Sequence, residues 1–143
     1  MDLTGTDFDV VGIGNALVDV LSTEEEAFLR ELDMVKGSMM LIDTDRAELV
    51  YGAMGTKTEA SGGSAANTLC GVASFGGRAA YIGRVRDDGL GAAFTHDLNS
   101  LGVTFRSARA TGGDPTGRCM IVVTPDGERT MNTYLGASAA LGP

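Results

Sequence analysis

The sequence predicts an α/β fold with a parallel sheet and, near its C-terminal end, an antiparallel hairpin. Short apolar runs rich in β-branched residues alternate with stretches of helical spacing, which is typical of α/β proteins. Two strand-like runs also flank Pro125-Asp126-Gly127, a turn sequence. An apolar share of 43% in 143 residues is that of a globular chain with one core.

Four apolar runs are predicted as strands. Residues 8–13 end at Gly14 and are predicted to be buried on both faces, as in a parallel sheet. Residues 79–82 and 103–106 each follow a predicted helix, which favours right-handed crossovers between parallel strands. Residues 39–42 are predicted as a further strand.

Four stretches are predicted as helices, because residues that can cap a first turn precede apolar residues at helical spacing. The capping-box pattern of residues 22–25 predicts a helix that ends near Gly37. The predicted starting residues of the other three helices are Thr44 or Asp45, then Ser64, then Asp87 or Asp88. Residues 51–60 show only weak patterning.

The predicted hairpin consists of residues 118–124 and 128–135. Polar and apolar residues alternate along its second strand, so this strand is predicted to be half exposed, as in a lid.

Charge and cysteine usage exclude several classes of partner. The formal net charge of −8 disfavours nucleic-acid polymers and anionic membrane surfaces, although a small phosphorylated ligand remains possible. Cys70 and Cys119 lie far apart, which predicts neither a disulfide scaffold nor a zinc site and favours the reducing cytoplasm. The acidic N-terminus and the short apolar runs predict no targeting or membrane segment.

Two groups of polar residues are candidates for ligand binding. Gly62 and Gly63 open a helix whose unpaired first-turn N–H groups can bind hydroxyls of a sugar or polyol. Asn15 and Asp19 follow the first strand at the edge where α/β sheets bind ligands, and together they could bind vicinal hydroxyls. The alternative for the glycine pair is an ordinary strand-to-helix turn. The alternative for Asp19 is a turn or cap residue.

Two apparent nucleotide motifs are incomplete. Gly12 and Gly14 begin a dinucleotide fingerprint, but Leu17 occupies the third glycine position and its bulk blocks close helix packing. Residues 55–58 are similar to the end of a phosphate-binding loop, but a threonine separates the glycine from the lysine.

Four segments together resemble the PfkB family of carbohydrate and nucleoside kinases, most closely its adenosine-kinase-like and sugar-kinase branches. The segments are Gly12-Ile13-Gly14-Asn15-Ala16-Leu17-Val18-Asp19, Gly62-Gly63-Ser64-Ala65-Ala66-Asn67, Gly76-Gly77 and Tyr81-Ile82-Gly83-Arg84-Val85-Arg86-Asp87-Asp88-Gly89-Leu90-Gly91. Residues 115–117 and the hairpin also look like that family's second lid segment.

The resemblance implies a ribokinase-like fold, a doubly wound α/β sheet with a small β-sheet lid, of which this chain is the N-terminal part. Residues 8–14 and 63–112 would form part of the core. Residues 15–62 and 115–137 would form the lid.

The same resemblance implies the site residues. Asn15 and Asp19 would hold substrate hydroxyls, Gly62 and Gly63 would form the hinge of the lid, and Asn67 would bind a further hydroxyl. The residues that would supply apolar lid contacts are Leu17, Val122 and Leu135. Leu69 and Arg86 depart from the family's pattern, which has small residues at these positions.

The family's catalytic aspartate lies in a Gly-Ala-Gly-Asp helix start, and a later Asn-x-x-Glu segment is linked to magnesium and phosphate. Neither motif occurs here, so the sites for ATP and Mg²⁺ are expected in a C-terminal half that this chain lacks. The hypothesis is an ATP-dependent PfkB-type kinase for a nucleoside or sugar hydroxymethyl group, represented by an inactive substrate-binding part. The alternative is a non-enzymatic sugar or nucleoside binder, or a half-domain that forms a homodimer through its lid or an exposed sheet edge.

Overall fold

A computed structural model describes residues 6–142, which form two β-sheets and four α-helices. The prediction about a targeting segment concerns the start of the chain, and residues 1–5 lie outside the described residues. The strands are β1 (Val10–Ile13), β2 (Leu17–Thr23), β3 (Met39–Leu41), β4 (Thr58–Gly62), β5 (Ala79–Ile82), β6 (Val103–Thr104), β7 (Gly117–Val123) and β8 (Arg129–Tyr134). The helices are α1 (Glu26–Glu31), α2 (Thr44–Ala53), α3 (Ser64–Ser74) and α4 (Gly89–Ser100), followed by a 3₁₀ helix (Gly136–Ala140).

The first sheet is parallel, with the strand order β1-β5-β6, as predicted. Helices α3 and α4 contribute Leu69 and Phe94 to a buried cluster on one face of this sheet. Phe94 packs against Tyr81 and Phe105, and the three ring centroids lie 5.5 to 5.7 Å apart. Strand β6 is shorter than predicted and ends at Thr104.

The opposite face of this sheet is not covered, so the prediction that the first strand is buried on both faces is wrong. Val11 is 53% exposed, Ile13 is 67% exposed and Ile82 is 41% exposed. These three side chains share a face because Val11 pairs with Ala80 and Ile13 pairs with Ile82. We call this surface the open face; within residues 6–142, no helix packs on it, and β1 pairs only with β5.

The second sheet has the order β3-β8-β7-β2-β4, and two of its strands, β2 and β4, were not predicted from the sequence. Ser22 and Thr23, predicted to cap a helix, form the end of β2, and α1 begins only at Glu26. Pairing with β4 and β7 overrides the local capping pattern, and Ser22 is buried in the sheet. Asp19 therefore lies within a strand and does not follow one.

The predicted hairpin is confirmed, since β7 and β8 pair antiparallel around a turn at Gly127. The prediction that its second strand is half exposed is wrong, because β8 lies between β3 and β7 and α2 packs on it. Asn132 and Tyr134 are buried, and the hydroxyls of Tyr134 and Thr44 lie 3.2 Å apart.

The observed helix caps agree in part with the predictions. Helix α3 begins at Ser64, and Asp88 caps α4 by accepting the Gly91 N–H at 2.8 Å. Helix α2 is capped instead by Asp43, which accepts the Arg46 N–H at 2.9 Å. Over residues 6–142, no helix is both long enough and apolar enough to cross a bilayer.

Helices α1 and α2 pack on one face of the second sheet around Val20, Met120 and Val122. The strands of this sheet come from residues 17–62 and 117–134, which fall within the two segments predicted to form a lid. Their action as a lid, and the division into core and lid, stay predictions.

Candidate functional site

A cavity of about 230 Å³ lies at the carboxyl end of β1, where the chain passes into β2. Three of the predicted site residues, Asn15, Leu17 and Gly63, line it, whereas Asp19 and Gly62 do not. The complete lining is Ile13, Gly14, Asn15, Leu17, Gly63, Ser64 and Ala65. Ligands of open α/β sheets bind at this end of the strands, so the cavity is the leading candidate for a binding site.

The N-terminus of α3 supplies hydrogen-bond donors to this cavity. Gly63 is the N-cap residue at φ +92°, a conformation that side chains disfavour, and its carbonyl accepts the Asn67 N–H at 2.9 Å. Among the described residues, no side chain caps this helix, which leaves first-turn N–H groups at Ser64 and Ala65 for an oxygen-rich ligand.

Asp19 lies directly against the backbone of Gly62. A Cβ atom added to Gly62 would overlap the Asp19 carboxylate, so a larger residue there would require the Asp19 side chain to shift. Burial raises the pKa of Asp19, and the nearby positive charge of Arg129 opposes this rise. A partly desolvated carboxylate, which is a strong acceptor for hydroxyl groups, therefore lies next to Gly62, the residue before the cavity-lining Gly63.

Asp19 also belongs to a sheet face that no helix of the described chain covers. Strand register places Leu17, Cys119 and Thr133 on the same face as Asp19. Neither of the two buried clusters includes a side chain from this surface, which we call the Asp19 face. The remaining side chains on this face are Leu21, Thr23, Met39, Leu41, Thr58, Ala60, Ile121, Val123, Arg129 and Met131.

Cys119, Thr133 and Arg129 were not predicted from the sequence as neighbours of Asp19. Cys119 is the register partner of Asp19, and the Thr133 hydroxyl donates to Cys119 Sγ at 3.3 Å. Burial raises the pKa of the Cys119 thiol, and the Asp19 charge raises it further, while the Thr133 hydrogen bond opposes the rise. The alternation of polar and apolar residues along the predicted hairpin could have indicated this face. It could have done so only if β2 had also been recognised as a strand of the same sheet.

Leu17 and Leu135 lie close together at Gly117. A Cβ atom on Gly117 would overlap the Leu135 carbonyl oxygen and lie 2.6 Å from Leu17 Cδ2. Asn67 is exposed on α3 and, unlike Asn15, does not line the cavity. Val122 lies on the opposite face of the sheet, fully buried against α1 and α2, and is not part of the candidate site.

Residues 32–143 match the pfkB family carbohydrate kinase. This chain belongs to the pfkB family. The adenosine kinase from Sinorhizobium meliloti superposes with a TM-score of 0.88 at 56% sequence identity, over 96% of this chain and 42% of that one. A probable sugar kinase from Rhizobium etli CFN 42 superposes with a TM-score of 0.89 at 53% identity and the same coverage. These similarities confirm the ribokinase-like fold.

The pfkB chain is also 29% identical over 107 residues to a fructokinase from Klebsiella pneumoniae, covering 75% of this chain. It spans only 35% of the length of that relative, and 42% of the two solved kinases. The pfkB chain thus matches the N-terminal part of these sugar and nucleoside kinases.

The two departures from the pfkB pattern have structural explanations. Leu69 is buried in the core, where a Cβ atom on Gly12 would lie 2.9 Å from Leu69 Cδ1. Arg86 donates its backbone N–H to Thr116 Oγ1 at 3.0 Å, and its guanidinium binds the Gly113 carbonyl. Neither residue lines the cavity beside Asn15.

The described residues do not fit the metal and nucleotide chemistry that the family implies. Over residues 6–142, no three His, Cys, Asp or Glu side chains converge as a metal site. The sequence also lacks the Gly-Ala-Gly-Asp helix start. We therefore derive no step through ATP or Mg²⁺ from these residues.

Proposed function

We propose that this chain is the acceptor-binding part of an ATP-dependent kinase that phosphorylates the hydroxymethyl group of an adenosine-like nucleoside. The close packing of Asp19 on the Gly62 backbone, beside a cavity lined by helix N–H donors, carries the proposal. The carboxylate can accept hydrogen bonds from the hydroxyl groups of a ligand. The helix N–H groups can donate hydrogen bonds to its hydroxyl oxygens.

The chemistry of the Asp19 face supports a nucleoside as the acceptor. Besides Asp19, this face carries the partly exposed Leu17, Leu21 and Met131, which suit the flat apolar surface of a nucleobase. The polar groups beside Gly62 and Gly63 suit its ribose. A relative called adenosine kinase, at 56% identity, supports the same acceptor.

A furanose sugar is the second candidate acceptor, and the fructokinase relatives favour it. A sugar would use the Asn15 and Asp19 groups but would leave the apolar part of the Asp19 face without a partner. Calorimetric titration of the chain with adenosine and, separately, with fructose distinguishes the two. We expect heat from adenosine only, and binding of fructose alone would reverse the assignment.

The roles proposed for this chain are binding and orientation, which contribute to phosphoryl transfer only when a base and an anion clamp are also present. We therefore expect no ATP-dependent product from the chain alone. A chimera tests this, with residues 1–143 replacing the matching part of the Sinorhizobium meliloti adenosine kinase. It should phosphorylate adenosine, whereas a folded but inactive chimera would contradict the proposal.

The control for the chimera is the same protein carrying Asp19→Asn. This change keeps the size of the side chain over Gly62 but removes its charge. Loss of a charge-assisted hydrogen bond is expected to weaken acceptor binding by about 10- to 100-fold. An unchanged KM for adenosine in this variant would remove Asp19 from the site.

A non-enzymatic role is a further candidate, favoured by the open face and the unpaired edge of β1. In this role the chain would pair with a second copy of itself and bury Val11, Ile13 and Ile82. Sedimentation velocity over a range of protein concentrations measures this association.

We propose the cytoplasm as the location in either role, because Cys70 and Cys119 are both unpaired thiols.

A further inference from the structure

We propose that Asp97 is a positioning residue, which holds the glycine pair Gly62-Gly63 in place by binding the backbone of Ser61. The Ser61 N–H donates to Asp97 Oδ2 at 3.1 Å. Asp97 lies on α4, whose buried side chains belong to the core beside the three-stranded sheet, whereas Ser61 lies on β4 of the five-stranded sheet. The inference rests on the proposed function, because it concerns how the Asp19 site is held.

Because of the position of Ser61, this hydrogen bond restrains the backbone next to the glycine pair. Ser61 directly precedes the glycine pair, and β4 is an edge strand that, within residues 6–142, pairs only with β2. An edge strand has outward backbone groups that need a partner, and Asp97 supplies one at the residue before Gly62. The glycine pair itself lacks side chains that could limit its backbone angles, so the restraint has to come from neighbouring residues.

The same register connects Ser61 to the candidate site. Gly62 pairs with Leu17, and Ala60 pairs with Asp19, so the end of β4 lies alongside the strand that carries Leu17 and Asp19. Asp97 also lies near α3, since its charge contributes to the raised pKa of Cys70, although burial is the larger cause. Asp97 thus lies where β4, α3 and α4 meet.

A second carboxylate on α4 holds the start of β7 in the five-stranded sheet. Asp88 accepts the Thr116 N–H at 2.9 Å and the Thr116 hydroxyl at 2.7 Å, and it also caps the helix. Thr116 is fully buried and directly precedes β7. Asp97 follows Asp88 by nine positions, so at 1.5 Å per residue the two residues are about 14 Å apart along the helix.

The two attachments differ in strength, which assigns them different roles. Asp88 makes several hydrogen bonds to a buried partner, so Thr116 is the fixed point between the two sheets. Asp97 accepts its hydrogen bond from a half-buried backbone group, so the end of β4 is the point that can be released. Loss of the Asp97 bond should therefore free the glycine pair and leave β7 in place.

Amide hydrogen exchange on the ligand-free chain tests this assignment. Asp97→Ala should accelerate exchange at Ser61, Gly62 and Gly63 by about tenfold or more, because a hydrogen bond to a charged group contributes about 1.5–3 kcal/mol. The amide of Phe94 should keep its rate. Asp97→Asn retains an acceptor oxygen and should stay closer to wild type, and His96→Ala, an exposed neighbour on α4, is the matched control.

An unchanged Ser61 rate in Asp97→Ala would overturn the proposal, and so would equal acceleration at all amides, which indicates a merely structural role. A calorimetric titration with adenosine adds the functional measurement. We expect Asp97→Ala to weaken binding severalfold and Asp97→Asn to restore most of it. Absence of adenosine binding by the wild-type chain would instead reject the proposed function, and the exchange rates would still decide the role of Asp97.

Discussion

At the scale of single residues, the contact between Gly62 and Asp19 determines the chemistry of the candidate site. The carboxylate occupies the space that any side chain at position 62 would need. The glycine therefore lets the Asp19 carboxylate lie against the backbone of β4, in addition to any freedom that it gives the chain. A substitution of Gly62 tests the packing at this contact, and a substitution of Asp19 tests its charge.

Gly62→Ala should displace the Asp19 carboxylate. Overpacking of this kind is expected to lower the free energy of unfolding by about 1–3 kcal/mol, measured by urea titration. The matched control is Gly52→Ala on α2, where an added Cβ meets no atom within 4 Å and helix propensity should raise stability by about 0.5–1 kcal/mol. Equal stability of the two variants would contradict the packing that we describe.

Asp19→Asn should stabilise the folded chain at neutral pH. Burial raises the pKa of Asp19 above its usual 3.8, so the folded state binds this proton more tightly than the unfolded chain. When the pH is above this raised pKa, ionisation of Asp19 in the folded chain lowers the free energy of unfolding. At lower pH the carboxyl is protonated in both the folded and the unfolded state, and this cost disappears. Urea titrations should show the variant to be more stable near pH 7, with the difference shrinking as the pH falls through the raised pKa of Asp19 and lost once the pH is below 3.8. A variant less stable than wild type near pH 7 would contradict the assigned shift.

At the scale of elements, the aromatic cluster behind β5 holds the three-stranded sheet to its helices. Phe94 of α4 is fully buried against Tyr81 of β5 and Phe105, which follows β6. The same helix carries Asp88 and Asp97, so its attachment to the sheet also fixes the start of β7 and the end of β4.

Phe94→Ala should remove a large part of the stability of the chain. Truncation of a buried phenylalanine costs about 3–5 kcal/mol through lost burial and the cavity that remains. Phe75, which is 92% exposed after α3, provides the control, and Phe75→Ala should change stability by less than about 0.5 kcal/mol. Chemical denaturation measures both, and similar losses would show that the cluster is not the core of this fold.

The elements also show where sequence reasoning succeeds. Strand β5, the start of α3 and the hairpin follow from local patterns, because each has an apolar run or a turn sequence of its own. Strand β4 has no such pattern, and in β2 the apolar run of residues 17–21 leads directly into the helix-capping pattern at residues 22–25, so both strands depend on pairing with each other and with β7. The neighbours of Asp19 on β7 and β8 were therefore not predictable, although Asn15, Asp19 and the glycine pair were found from their motifs.

At the scale of the whole molecule, the two sheets differ in how they are covered. Within residues 6–142, the five-stranded sheet has helices on one face and the Asp19 face on the other, whereas the three-stranded sheet leaves the apolar open face and the edge of β1 uncovered. An apolar surface of this kind favours association.

Ile13→Lys should reduce association of the chain with itself, because a charge would be placed in the centre of the open face. Leu49→Lys, at a residue of α2 that is 53% exposed, is the control and should leave association unchanged. Sedimentation velocity at several concentrations reads the effect. A wild-type chain that stays monomeric throughout would argue against a homodimer.

The most direct test of the central claim is an NMR titration of the ligand-free chain with adenosine. We predict that amide shifts concentrate at Leu17, Gly62, Gly63, Ser64 and Ala65, and that Asp19→Asn moves them to about 10- to 100-fold higher adenosine concentrations. Shifts centred on the open face at Val11 and Ile82, or no shifts in a folded chain, would contradict the claim.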